Sequence, residues 1–263
     1  MFGGSVKVRQ SLPTIVEDSE WSENVSTDYG SGIESLDESD SGGSTSASQT
    51  LVLFDWDDSL LPTTWLAQEG LLEGSTTRVT RCQQTLLQEL EVCIEGTLLT
   101  AMTHGRVVIV TNAAAGWVED SCSNFLPGLR PMLDDLDIIS ARSAYEDEVA
   151  CPSQWKRLAF EDVIYAHFGE WPASEWRNVV SIGDSTYEQN AVVAATAALP
   201  SCHSKSLKLM ERPRIEQLID EHRLLGEQLT EALLHEAGLD LEVGVESRNL
   251  EWHSFYTTAS LEL

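Results

Sequence analysis

The chain has 263 residues, of which 42% are hydrophobic, and its formal net charge at pH 7 is −27. This length and hydrophobic content suit one α/β domain with a sizeable core, together with a tail. The strong negative charge argues against a nucleic-acid binder, which needs Lys and Arg against phosphates, and it disfavours docking on anionic lipid.

The cysteines and the N-terminus indicate the compartment. The cysteine count is five and no CxxC pair occurs, which argues against a disulfide framework and against a zinc site. The N-terminus lacks an apolar signal core, and acidic residues begin at Glu17. No run reaches the ~18 apolar residues of a membrane span. We therefore expect a cytoplasmic protein with reduced thiols and no membrane partner, and the oligomeric state stays open.

Residues 1–49 differ in composition from the rest of the chain. They are rich in Ser, Gly, Asp and Glu and end in the sequence SDSGGSTSASQT. Such a segment cannot bury enough apolar surface to offset the entropy cost of ordering, so we expect a disordered acidic tail. The alternative is a regulatory tail that is phosphorylated, because many of its serines lie near acidic residues.

From residue 50 onward, short apolar runs alternate with stretches of helical periodicity. This alternation predicts an α/β fold in which right-handed crossovers build a parallel sheet over residues 50–240. Residues 241–263 form an acidic C-terminal extension without an assignment. The predicted strands are 51–54, 107–110, 137–140, 178–182 and 206–210. The predicted helices are 78–103, a helix that opens near residue 152, 188–198, and one or two helices over 215–235.

Carboxylates, one hydroxyl and one lysine cluster at the ends of these predicted elements. Asp55 and Asp57 directly follow the first strand, Thr111 follows the second, and Asp184 follows the fourth. Lys156 lies in the first turn of the helix that precedes the fourth strand. Ligands of open parallel sheets bind beyond the carboxyl ends of the strands, so these groups are expected at one edge.

Several carboxylates gathered in one place repel one another and require a cation. The groups at this edge offer oxygen ligands, and no histidine or cysteine cluster accompanies them. A hard ion such as Mg²⁺ fits this set best. Mg²⁺ also screens the negative charge of a phosphate during attack by a carboxylate.

These motifs resemble those of the haloacid dehalogenase (HAD-like) superfamily. The sequence Asp-Trp-Asp-Asp-Ser-Leu at residues 55–60 resembles its first motif, DxDx(T/S/V). Thr111 and Lys156 resemble the second and third motifs, and Gly-Asp-Ser-Thr-Tyr-Glu at 183–188 resembles the fourth, GDxxx(D/E). The resemblance covers roughly residues 50–220 and implies a Rossmann-like, three-layer fold and a phosphohydrolase activity with little or no cap domain.

The resemblance implies a role for each matching residue. Asp55 would attack phosphorus and form an aspartyl-phosphate, and Asp57 would act as general acid and then as general base. Thr111 and the backbone amide of Asn112 would hold phosphate oxygens. Lys156 would pair with the nucleophile and the phosphoryl group.

The same resemblance implies a Mg²⁺ site. Its ligands would be Asp55, the backbone carbonyl of Asp57 and Asp184, with Glu188 as a ligand or as the partner of one. Ser59 keeps the hydroxyl of its motif position, and we count it together with Trp56 among the residues that contact phosphate or substrate.

Each assignment has a plainer alternative. Thr111 could cap the end of a strand, Lys156 could be a solvated helix lysine, and Glu188 could only favour a helix N-terminus. Asp58 is expected to be a solvated or turn residue. The tryptophans that flank the motifs, Trp56, Trp65 and Trp117, could form an aromatic rim for substrate, although core packing is the stronger expectation.

Three functions remain open at the level of the sequence. The first is a Mg²⁺-dependent phosphatase, whose substrate is expected to be carried on a macromolecule such as a phosphoprotein. The second is a phosphotransferase that uses the same site. The third is a non-catalytic interaction protein, against which the complete set of acids at positions 55, 57 and 184 argues.

Overall fold

The computed structural model of the protein describes residues 49–72, 78–169, 172, 174–246 and 249–254. The predicted disordered tail, residues 1–49, lies outside these ranges except for its last residue. Within the described ranges, no helix is both long and apolar enough to cross a membrane.

A seven-stranded sheet forms the centre of the described chain. Its strands are β1 (Thr50–Phe54), β2 (Arg106–Thr111), β3 (Asp137–Ser140), β4 (Arg177–Gly183), β5 (Cys202–Lys208), β6 (Leu239–Glu246) and β7 (Asn249–Ser254). The order is β3-β2-β1-β4-β5-β6-β7, with the first six strands parallel and β7 antiparallel to β6. The predicted α/β class and parallel sheet are therefore confirmed.

Helices cover both faces of the sheet and give three layers. They are α1 (Thr63–Gln68), α2 (Arg81–His104), α3 (Trp117–Phe125), α4 (Arg130–Leu133), α5 (Ala141–Tyr145), α6 (Pro152–Phe168), α7 (Thr186–Thr196) and α8 (Ile215–Leu234). The side chains of β1 alternate between two apolar clusters. Val52 and Phe54 pack with residues of α2 and α8, whereas Leu51 and Leu53 pack with residues of α6 and α7. The central strand is buried on both faces, as its wholly apolar sequence predicts.

Helix α2 shows how local sequence sets an element's bounds. Thr80 accepts a hydrogen bond from the Gln83 amide, and the Gln83 side chain accepts one from the Thr80 amide, which forms a capping box. One side of the helix is apolar and buried against α8 and the sheet, through Leu87, Leu90, Ile94, Leu98 and Ala101. The helix predicted over residues 78–103 is thus confirmed, with a start three residues later at Arg81.

Strand β5 differs from its prediction because its first half is polar. It begins at Cys202 instead of residue 206, and it ends at Lys208. Lys205 is fully buried in this strand, and its Nζ donates to the carbonyls of Ala232 and Leu233, at 2.8 Å each, at the end of α8. A buried lysine interrupts the apolar pattern that is typical of an interior strand, so the first residues of β5 could not be predicted from the sequence.

The C-terminal boundary predicted at residue 240 falls inside β6. This strand pairs in parallel with β5 from Leu239 onward, and Val243 belongs to the main apolar cluster. The stretch 241–263, which had no assignment, therefore supplies part of β6 and all of β7.

The elements between the motifs belong to the three layers. Between β1 and β2 the chain forms α1 and α2, and α2 packs on α8. Between β2 and α6 it forms α3, α4, α5 and β3, and β3 pairs with β2 in the sheet. Within the described residues, the elements of both intervals pack into the three layers and form no separate domain.

Candidate metal and phosphate site

The predicted site residues meet at the carboxyl edge of the sheet, where β1 lies between β2 and β4. The chain leaves β1 at Asp55, whose backbone amide donates to the carbonyl of Ile182 in β4 at 2.9 Å. Thr111 is the last residue of β2, and Asp184 directly follows β4. Since β2 and β4 lie on opposite sides of β1, the strand order reverses here, and open parallel sheets usually bind ligands in a crevice at such a point.

Lys156 reaches this edge from the first turn of α6. Its Nζ donates to Oδ1 of Asp55 at 2.6 Å and also to Oε1 of Glu188. The lysine is 2% exposed, so the alternative of a solvated helix lysine is wrong. Arg157, one residue later, lies on another face and pairs with Glu161.

The electrostatics of these groups show an excess of buried negative charge. Burial raises the pKa of Asp55 to about 8, with Lys156 opposing and Glu188 reinforcing the shift. Burial together with Glu188 raises the pKa of Asp184 to about 7. Burial would also raise the pKa of Glu188, but the Lys156 ammonium holds it below its ordinary value. One lysine therefore does not balance three carboxylates.

These carboxylates are arranged to hold a cation. Asp55, Asp184 and Glu188 each offer one oxygen, and the three oxygens lie within 4.8 Å of one another. The donor set is oxygen only, which fits a hard divalent ion, and a second positive charge would favour the ionised forms that burial opposes.

Glu188 has a second function at the start of α7. Its Oε2 accepts from the backbone amide and the hydroxyl of Ser185, which completes a capping box. Glu188 therefore does stabilise the start of α7, as the plainer alternative expected, and it also contacts Lys156. Both oxygens of Glu188 already accept hydrogen bonds. Asp55 and Asp184 are therefore better placed than Glu188 to bind a metal directly.

Asp57 lies on the β2 side of this edge, and its carboxylate accepts three hydrogen bonds. Oδ1 accepts from the hydroxyl of Thr63 at 2.7 Å and from Nε1 of Trp117 at 2.8 Å, and Oδ2 accepts from the hydroxyl of Thr111 at 3.2 Å. The metal role expected for Asp57 concerns its backbone carbonyl, and its side chain is not among the three clustered carboxylates.

Thr111 and Asn112 continue the crevice from the end of β2. The Thr111 hydroxyl also accepts from the backbone amide of Ala113 at 3.0 Å. Thr111 therefore caps the end of its strand, as the plainer alternative expected, and also contacts Asp57. The Asn112 side chain donates to the carbonyl of Pro152 at 3.3 Å and ties this loop to the start of α6.

Ser59 does not face a phosphate, and this prediction is wrong. Its side chain is fully buried, and Oγ accepts from the backbone amide of Asp184 at 3.0 Å. The Ser59 carbonyl is bonded to Nε2 of His222, at 2.9 Å, and burial lowers the pKa of that histidine to about 4. Ser59 therefore fixes the position of Asp184.

Trp56 and Trp65 also do not form a substrate rim. Trp56 is fully buried and its Nε1 donates to Oγ of Ser121 at 2.9 Å, while Trp65 is 8% exposed and packs in the core. The inclusion of the Trp56 side chain among substrate-contacting residues is wrong for this reason. Asp58 is a buried turn residue with φ 55° that accepts from the backbone amide of Thr64.

The structure brings in Thr63 and Glu221, which were not predicted to act at the site, and Trp117, which was considered only for an aromatic substrate rim. Thr63 and Trp117 contact Asp57, and Glu221 of α8 approaches Asp184 closely enough to raise its own pKa further. Thr63 and Thr64 each follow their acid by six residues, which is a signal the sequence does contain. For Trp117 the signal was only its position beside a motif, and Glu221 carries none, because helix packing determines where both lie.

Comparison of the chain with protein-family models, with curated proteins and with solved structures found no match.

Proposed function

We propose that this protein is a Mg²⁺-dependent phosphomonoester hydrolase that acts through an aspartyl-phosphate. The carrying observation is the buried Asp55–Lys156 pair at the end of β1, with Asp184 on the β4 side and Asp57 on the β2 side. A nucleophilic carboxylate, a fixed cation, a second acid and an oxygen-only metal site are the parts that this reaction requires.

The chain's own residues account for both chemical steps. Lys156 bonds Oδ1 of Asp55, which leaves Oδ2 as the attacking oxygen. As the Oδ2–P bond forms and the ester P–O bond breaks, Asp57 gives its proton to the leaving oxygen. A water molecule then attacks phosphorus, Asp57 takes up its proton, and the Asp55–phosphate bond breaks to release inorganic phosphate.

The remaining groups hold the phosphoryl oxygens and balance charge. The Thr111 hydroxyl and the Asn112 amide lie at the end of β2, on the side of Asp57, and Lys156 offers a buried positive charge. Mg²⁺ bound at Asp55 and Asp184, with Glu188 beside them, would screen the negative charge of the phosphate as the carboxylate approaches.

The shape and charge of the chain favour a phosphate carried on a large body. Within the described residues no cap domain closes the site, so a small metabolite would find little surface to bury it. The net charge of −27 repels anionic polymers, so nucleic acid is not the proposed substrate. A phosphoprotein with basic residues around the phosphate fits best.

The test is release of inorganic phosphate by the full chain from a panel of esters. The panel combines p-nitrophenyl phosphate, sugar phosphates, nucleotides and phosphopeptides, each assayed with Mg²⁺, with EDTA, and with Mg²⁺ restored in excess. We expect activity that EDTA removes and Mg²⁺ restores. If no ester releases phosphate faster than with an Asp55→Asn variant, the proposed function is wrong.

A further inference from the structure

The hydrogen bond from Trp117 to Asp57 links a helix side chain to the proposed acid. Trp117 is the first residue of α3, and its Nε1 donates to Oδ1 of Asp57 at 2.8 Å. The ring is half-buried and packs against the main apolar cluster, which restrains its orientation. The contact joins residues 60 positions apart, so it exists only because the fold brings α3 to this edge.

The position of Trp117 is itself held by neighbouring residues. Gly116 precedes it with φ 89°, a left-handed conformation that favours glycine, and this turn starts α3. Ser121 donates to the backbone carbonyl of Trp117 at 2.6 Å and accepts from Nε1 of Trp56 at 2.9 Å. Trp56 directly precedes Asp57, so Ser121 connects the backbone of Trp117 to the residue next to Asp57. These contacts restrain both partners of the Trp117–Asp57 hydrogen bond.

The donors around Asp57 determine how its carboxylate is oriented. A carboxylate offers about four lone-pair sites, two on each oxygen. Thr63 and Trp117 take both sites on Oδ1, and Thr111 takes one on Oδ2. A threonine hydroxyl can rotate and become an acceptor, but an indole N–H is a donor only. The Thr63 hydroxyl has a second acceptor in the carbonyl of Leu61 at 3.4 Å, so Trp117 is the donor to Oδ1 that cannot turn away, whereas Oδ2 keeps an open site.

We propose that Trp117 is a positioning residue that holds the Asp57 carboxylate in one orientation, with Oδ1 anchored to the helix and Oδ2 turned toward the leaving oxygen. This inference rests on the proposed function, in which Asp57 protonates the leaving oxygen. The proton on Oδ2 passes to that oxygen as the ester P–O bond breaks, and the proton of the attacking water returns to Oδ2. Trp117 contacts only Asp57 in this scheme and exchanges no proton.

The consequence is a dependence on the leaving group. An alkoxide is a poor leaving group and needs a correctly placed proton, whereas p-nitrophenolate leaves without one. Trp117→Phe removes the N–H and keeps an aromatic ring, so it should loosen Asp57 without opening a large cavity. A general acid contributes roughly 10²–10⁴-fold, so we expect kcat/KM for alkyl phosphates to fall about tenfold or more. For p-nitrophenyl phosphate we expect a change under about threefold, because this step needs no acid.

The experiment measures kcat/KM of full-length wild type and Trp117→Phe over alkyl, phenyl and p-nitrophenyl phosphates with saturating Mg²⁺. kcat/KM is the appropriate constant because it reports the first phosphoryl transfer and not the later attack of water. The matched control is Trp176→Phe, an exposed tryptophan before the amino end of β4, which should leave the whole series unchanged. Thr63→Val removes the other donor to Oδ1 and should steepen the leaving-group dependence in the same way.

The outcomes separate this inference from the proposed function. A steeper leaving-group dependence in Trp117→Phe, with its circular-dichroism melt retained, supports the positioning role. An equal loss for all three leaving groups, or no loss, overturns the inference while the phosphatase activity of the wild type stands. If Trp117→Phe fails to fold, Thr63→Val decides by the same criterion. No activity of the wild type on any ester overturns both.

Discussion

The ammonium of Lys156 lies 2.6 Å from Oδ1 of Asp55, and both side chains are buried where β1 and α6 meet. The same ammonium bonds Glu188, so two carboxylates share one cation. Burial raises the pKa of Asp55 although this partner opposes the shift, and the one ammonium faces two buried carboxylates. A divalent ion at the neighbouring oxygens would supply the missing positive charge.

The nucleophile is tested by Asp55→Asn, which should lower kcat at least about 100-fold, because an amide is a poor nucleophile and a weaker ligand. The control is Asp58→Asn, the same chemical change three positions later. Asp58 has φ 55°, which asparagine tolerates, and an amide oxygen can still accept from Thr64. Phosphate release at fixed enzyme concentration is the readout. Substantial activity in purified, folded Asp55→Asn would remove Asp55 from this role.

The buried cation is tested by Lys156→Met, which leaves Asp55 and Glu188 without their shared partner. Breaking a buried ion pair on one side costs about 3–5 kcal/mol, so we expect a destabilisation of that order in urea unfolding with EDTA. Lys205→Met is the matched control, because Lys205 is equally buried but bonds carbonyls of α8. Mg²⁺ should stabilise Lys156→Met more than Lys205→Met. Equal stabilisation of the two variants would mean that Mg²⁺ does not replace the lysine charge.

The metal site is tested by titration calorimetry of Mg²⁺ into the wild type and into Asp184→Asn. Loss of one of the charged ligands should weaken binding about tenfold or more, since carboxylates supply the attraction for this ion. Asp137→Asn serves as the control, because Asp137 pairs with Arg106 at the far end of the sheet. Unchanged affinity in Asp184→Asn would place the ion elsewhere.

Glu221 predicts a pH dependence of stability. It is fully buried, its Oε1 accepts from the Met210 amide, and burial raises its pKa to about 8. The unfolded chain loses this proton near the ordinary glutamate pKa of 4.5, so between pH 4.5 and about 8 the charge favours unfolding. Glu221→Gln cannot ionise, so its stability relative to wild type should grow over this window.

The size of this effect follows from the shift in pKa. At 1.36 kcal/mol for each unit, the advantage of Glu221→Gln should be on the order of 3–5 kcal/mol at pH 8 and near zero at pH 4. Urea unfolding of both proteins in EDTA at several pH values measures it. A difference that does not vary with pH would show that Glu221 titrates normally.

The substrate class is tested with matched phosphopeptides. One peptide carries basic residues around the phosphoserine and the other carries acidic residues in the same positions. The charge of −27 should favour the basic peptide through faster encounter, and high salt should reduce the difference. Sugar phosphates and nucleotides should be poorer substrates than either peptide. A small metabolite hydrolysed with kcat/KM of about 10⁵ M⁻¹s⁻¹ or more would contradict this expectation.

The sequence by itself determined the α/β class and the carboxyl-edge positions of Asp55, Thr111 and Asp184. These follow from local order along the chain, since a polar group directly after an apolar strand must emerge at that strand's end. Lys156 could be placed at the same edge because a crossover helix between parallel strands begins at the carboxyl edge of the sheet. The start of β5 could not be predicted, because Lys205 is buried there and bonds backbone carbonyls of α8, a segment distant in the sequence.

Tertiary structure alone decided which side chains face the crevice. Trp56 sits between two site acids in the sequence yet turns into the core, and Ser59 bonds the amide of Asp184 instead of facing the crevice. Trp117, 60 positions from Asp57, contacts its carboxylate because α3 packs beside the end of β1. Side-chain direction and helix packing depend on contacts between segments that are distant in the sequence, so a local sequence pattern does not predict them.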